Sequence, residues 1–138
     1  MRKHLDRAHR AAPAFLGALT MASVAVLIAW DAFPARFPPN AHNLLGALPL
    51  ALIAVAYLVY QSIRRPGLAE FFKAVLLAVA FLFWAANQYW PASPYATLYN
   101  DIAIALFVLD VFFVILGWPA TSPDESFAEV YVEPHKGT

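Results

Sequence analysis

Apolar positions run along this chain in four blocks, roughly 12 to 32, 43 to 61, 68 to 90 and 95 to 118, and polar positions are confined to the stretches around them. A helix advances about 1.5 Å per residue, so about 20 apolar residues cross a hydrocarbon core about 30 Å thick. Each block is long enough to span a bilayer. The connections "DAFPARFPPNAHN", "QSIRRPG" and "WPASPYATLYND" are short and rich in proline or basic residues. Helix signals sit at the block limits: Asn43 suits a cap for the second, Pro66 opens the third, and Ser93-Pro94 reads as N-cap and first helical position of the fourth. Pro119 marks the last exit. The predicted architecture is an all-α integral membrane protein, an antiparallel four-transmembrane-helix bundle forming a single domain over 1–138.

Composition strengthens this reading. Hydrophobic residues make up 62% of the 138 and charged residues 13%, against about a quarter charged in a soluble domain. Their concentration in four blocks rules out one globular core as the place to bury them. The start, "MRKHLDRAHR" followed by an apolar run, has the order of a secretory signal. Yet Ala14 to Trp30 exceeds a usual signal core, and no small-x-small cleavage site precedes "WDAFPARFPP", so a retained first span is expected.

Formal net charge is zero, but its distribution is uneven. With the N-terminus inside, the cytoplasmic segments hold Arg2, Lys3, Arg7, Arg10, Arg64, Arg65, Lys73 and Lys136, and the outer side only Arg36. That positive-inside bias predicts both termini in the cytoplasm of a bacterial-type cell inner membrane. Trp30, Tyr89, Trp90, Tyr95 and Tyr99 then fall near the outer interface, and Tyr57, Tyr60 and Trp118 near the inner one, where amphipathic rings prefer to sit.

Ala14, Ala18, Ala22, Ala25 and Ala29 fall within roughly 80° of arc on the first span, a stripe along which another helix can approach closely. Shorter stripes are Ala47, Ala51 and Ala54 on the second span and Ala74, Ala78 and Ala85 on the third. An alanine-rich chain also produces such stripes by chance. Pro49 removes one backbone bond from the second helix. The two hairpins carry a faint likeness, "FLGALTMA" over "FFKAVLLA", compatible with a parallel repeat.

One acid lies deep in an apolar block. Asp110 is eight residues from both Ile102 and Trp118, about 12 Å along the helix from each, which predicts a position near the midplane. A central aspartate costs about 2.5 to 3.5 kcal/mol on the insertion scale, so it is expected to face protein. Ala103 and Gly117 share its face. Intramembrane acids commonly handle protons or cations, or bind a further membrane subunit. The plainer reading is a protonated Asp110 bonded to another helix, with Thr20 and Ser23 of the first span as partners at matching depth. Sequence favours the plainer reading.

A second polar group is expected at the outer rim: Asp31, His42, Asn87, Gln88, Asn100 and Asp101, with Asn43 beside them. It suits a cation, a polar headgroup or a small solute, and equally ordinary interfacial solvation. Asp101 and Asp110, nine residues apart, point to opposite sides of a regular helix. Glu70 and Lys73 have the spacing of a local ion pair. In the acidic tail, "TSPDESF" offers Ser122 as cap of a short helix.

Several classes of chemistry have no support in these residues. Cysteine is absent, which removes thiolate metal sites, iron–sulfur clusters and disulfides. All four histidines lie outside the spans, where they cannot hold a membrane haem. No Walker loop, dinucleotide fingerprint or Ser/His/Asp arrangement occurs. The expectation is a protein without enzymatic activity, cofactor, metal or nucleic-acid partner. It would contact the lipid bilayer and other membrane subunits or copies of itself, as a structural or accessory component of a larger assembly. The alternative is an oligomeric small transporter or channel in which Asp110 handles protons or cations.

Overall fold

The computed structural model describes residues 2–36, 38 and 41–118, with side chains described from Ala11 onward except that of Pro34. The tail reading around Ser122 lies outside the described residues. Four long helices account for the apolar blocks: α1 Arg2–Ala32, α2 Ala41–Arg64, α3 Leu68–Tyr89 and α4 Ala96–Ile115, with one 3₁₀ turn at Pro34–Arg36. Among the described residues there is no strand. All four helices are long and apolar enough to cross a membrane, α1 through its segment Ala11–Ala32. The basic start does not form a separate arm. It continues α1 through Pro13, whose ring fits a helix at the cost of one backbone bond.

Consecutive helices run antiparallel, as their contacts show. Trp30 near the end of α1 stacks on His42 at the start of α2, and Gly46 of α2 lies against Gln88 near the end of α3. Phe83 of α3 meets Tyr99 of α4, while Phe72 meets Trp118 just beyond that helix. Only neighbours in sequence pack: no Cα of α1 comes within 8 Å of α3 or α4, nor one of α2 within 8 Å of α4. The bundle is therefore an open row, with α1 and α4 as its edges.

Alanine builds the interior. Ala47, Ala54 and Ala56 of α2 and Ala74, Ala78 and Ala85 of α3 are all buried, and among the described residues Leu76 is the one large aliphatic side chain buried with them. Small residues let helix backbones approach closely and so gain dispersion contacts along the helices. On α3 the buried positions alternate, Ala74, Leu76, Ala78 and Ala80. Steps of two residues turn a helix by about 200°, so these positions form two opposite faces, as a helix between two neighbours requires.

The α1 stripe behaves otherwise. Ala14, Ala18, Ala22 and Ala25 are exposed and Ala29 half-buried, whereas Thr20 and Ser23 face the protein. On α4, Ala103 alone is buried among the described residues.

α4 ends in a Schellman motif. Gly117 takes φ +69°, its N–H donates to the Val114 carbonyl at 3.0 Å, and the Trp118 N–H reaches back to Phe113 at 2.9 Å. The Phe113 and Trp118 rings, 4.9 Å apart, supply the apolar contact that accompanies this cap.

Candidate functional site

Asp110 lies five positions before the last residue of α4, Ile115, and Lys73 five positions after the first residue of α3, Leu68. In an antiparallel hairpin these positions face each other. Lys73 Nζ stands 3.9 Å from Asp110 Oδ1, with the two side chains 23% and 14% exposed. At that distance charge, not a hydrogen bond, links them. Oδ1 is buried and has no hydrogen-bond donor. Because α4 runs from Ala96 to Ile115, Asp110 lies about 7 Å from the helix centre toward its C-terminal end. The helix begins six residues before Ile102 and ends three before Trp118, so its centre does not coincide with the centre of the Ile102–Trp118 stretch.

Lys73 also lines a pocket of about 380 Å³ where α2, α3 and the end of α4 converge. Tyr57, Gln61, Arg64, Glu70 and Trp118 share that wall. Gln61 Nε2 donates to the Tyr57 hydroxyl at 3.1 Å, and Arg64 Nη1 donates to the Tyr60 hydroxyl at 3.3 Å. The Arg64 guanidinium lies 5.4 Å from the Tyr60 ring centre, within cation–π range. Lys73 thus stands between a polar opening and the buried carboxylate. Its partner is Asp110 and not Glu70, three residues away on the same helix.

The expected grouping of Asp110 with Thr20 and Ser23 is not assembled. Thr20 Oγ1 donates to the Leu16 carbonyl at 2.9 Å, and Ser23 Oγ donates to that of Thr20 at 2.7 Å. Both hydroxyls are satisfied within α1, and α1 has no close approach to α4.

The polar residues expected together at an outer rim divide. Asp31 and His42 approach to 3.6 Å, a contact that becomes an ion pair when the imidazole is protonated. Trp30 packs on the same imidazole at 4.7 Å between ring centres, with its buried Nε1 lacking an acceptor. Gln88 lines the same pocket from α3 and lies against Gly46 of α2: a Cβ there would sit 3.4 Å from Gln88 Oε1. Asp31, His42 and Gln88 together edge a pocket of about 550 Å³ between α1, α2 and α3. Asn87 and Asn100 are half-buried and Asp101 exposed. Among the described residues, no hydrogen bond or ion pair joins these three to the Asp31 group. Asn43 lines a separate pocket with Tyr89, Trp90 and Tyr99.

Sequence reasoning missed the Lys73–Asp110 pair, although the signal was present. Reversing the numbering across the α3–α4 connection puts the fifth residue after one helix start opposite the fifth before the other's end. The local partner Glu70 hid it. Among the described residues no three His, Asp or Glu side chains converge as a metal site would require. No protein family, curated protein or solved structure matches the chain.

Proposed function

We propose that this chain is a small multi-pass protein of a bacterial-type inner membrane, with both termini cytoplasmic, that serves as a structural or accessory component of a larger membrane assembly and has no enzymatic activity of its own. The observation that carries this reading is the open row: each edge helix packs on one neighbour only. The free edge of α1 presents Ala14, Ala18, Ala22 and Ala25, small residues that admit a close-packed helix from another subunit or a second copy. Charge supports it as well. The intramembrane acid already has a cationic partner in Lys73, as a packing residue would. Extraction at native expression level followed by native mass spectrometry is expected to yield complexes larger than the monomer. Monomer alone, under conditions that preserve known membrane complexes, defeats the reading.

One observation favours a second reading, in which an oligomer moves protons or cations through Asp110. Its Oδ1 is buried without a donor, and Lys73 connects it to the polar pocket at the ends of α2 and α3. In liposomes, Asp110→Asn preserves shape and removes charge. Full retention of proton and cation flux by that variant eliminates the second reading.

A further inference from the structure

The groove between α1 and α3, floored by α2, is apolar along most of its described lining and polar at one end. Two pockets of about 550 and 610 Å³ adjoin at Ile53 and Phe81, which line both. They extend from Pro13 to Asp31 along α1, roughly 27 Å of helix. The stretch toward Pro13 is apolar, with Gly17, Tyr60, Leu77 and Phe81 among its walls and no charged residue among those described. At the other end stand Asp31, His42 and Gln88, with Trp84 beneath them.

That end carries an acid: among the described residues lining the two pockets, Asp31 is the one carboxylate, and His42 stands 3.6 Å from it. Gln88 Oε1, seated on Gly46, adds an acceptor. Pro49 lines the same pocket and has no N–H, which withdraws the usual donor from the Leu45 carbonyl one turn back.

From this juxtaposition we infer that the α1–α2–α3 groove binds a cationic amphiphile, an alkylammonium whose nitrogen sits between Asp31 and Gln88 and whose chain lies in the apolar slot. The ammonium N–H groups meet the carboxylate and the amide oxygen, and the chain covers surface that a slot of this composition otherwise leaves to lipid. The site is complete in one chain and so does not depend on the assembly proposed above.

The test compares three heads on one tail. Dodecylamine, dodecanol and dodecanoate are titrated against the purified full chain in a neutral detergent, with binding measured by equilibrium dialysis. Dodecylamine is expected to saturate at one molecule per chain, with dodecanol at least tenfold weaker and dodecanoate weaker still. Asp31→Asn is expected to raise the dodecylamine Kd at least fivefold and leave that of dodecanol unchanged. Asp101→Asn, an exposed acid outside the groove, is expected to change neither. Met21→Trp, at a groove position 68% exposed, fills the slot without altering charge and is expected to weaken all three ligands. Equal binding of the three heads, no effect of Asp31→Asn, or an equal loss with Asp101→Asn overturns the inference. The comparison of heads stands on the wild-type protein even where a variant fails to fold.

Discussion

Lys73 and Asp110 hold α3 to α4 through a contact of 3.9 Å between ammonium and carboxylate, with the carboxylate oxygen out of reach of any hydrogen-bond donor. The loose geometry decides what the pair is worth. A fully buried pair broken on one side costs about 3 to 5 kcal/mol, while replacing both partners by apolar residues is often neutral. Here partial exposure and the missing hydrogen bond lower the single-sided cost to about 1 to 3 kcal/mol. Lys73→Met, Asp110→Leu and the double variant, unfolded reversibly in mixed micelles, are expected to form a cycle with a coupling of at least about 1 kcal/mol. The double variant should lie closer to wild type than either single one. Strict additivity would mean that the two charges do not act on each other.

The two kinds of alanine stripe predict opposite responses to the same substitution. Ala78 is fully buried between α3 and its neighbours, and a leucine there overfills the contact at a cost of about 1 to 3 kcal/mol. Ala18 is exposed on the free edge of α1, and Ala18→Leu should alter the stability of the monomer by less than about 0.5 kcal/mol. Its effect is expected elsewhere, in the loss of larger species from native mass spectra. If Ala18→Leu destabilises the isolated chain as much as Ala78→Leu, the edge of α1 is not free.

Four spans were legible because membrane-crossing length is a local property, readable from an uninterrupted run such as residues 68 to 90. Faces were half legible. Spacing shows that Ala14, Ala18, Ala22 and Ala25 share one side of a helix, but not whether that side looks inward. On α1 it looks outward, because Thr20 and Ser23 satisfy their hydroxyls on their own backbone and so can occupy the inward face without a partner. The outer rim was legible as a level and not as a cluster. Asp31 and His42 meet because they lie at the adjoining ends of two packed consecutive helices, while Asp101 lies on α4, which makes no close approach to α1 or α2. A position along the chain fixes depth, but the order of helices around the row fixes company.

The helix ends offer a paired test of backbone strain. Gly117 occupies the left-handed position that closes the Schellman motif, where a side chain costs about 1 to 2 kcal/mol. Arg65, just past the end of α2, takes φ +52° with a side chain in place. Gly117→Ala is therefore expected to destabilise by about 1 kcal/mol, and Arg65→Gly to stabilise by up to about 1 kcal/mol. Thermal unfolding in a neutral detergent reads both. Shifts of the same sign would show that the two positions are not governed by φ.

Gly46 and Gln88 set how closely α2 approaches α3 at the polar end of the groove. A methyl at position 46 would stand 3.4 Å from Gln88 Oε1, an ordinary contact. Removing a mid-helix glycine gains up to about 1 kcal/mol in propensity, so Gly46→Ala should be neutral or stabilising. Gly46→Leu exceeds the space. It must displace the Gln88 side chain or part the helices, at a cost of about 1 to 3 kcal/mol. Adding Gln88→Ala clears that obstruction and is expected to restore most of the stability of Gly46→Leu. Dodecylamine binding should not recover in the double variant, because the amide oxygen that faces the ammonium is gone and leucine intrudes on the slot. Recovery of both stability and affinity would mean that Gln88 serves packing alone.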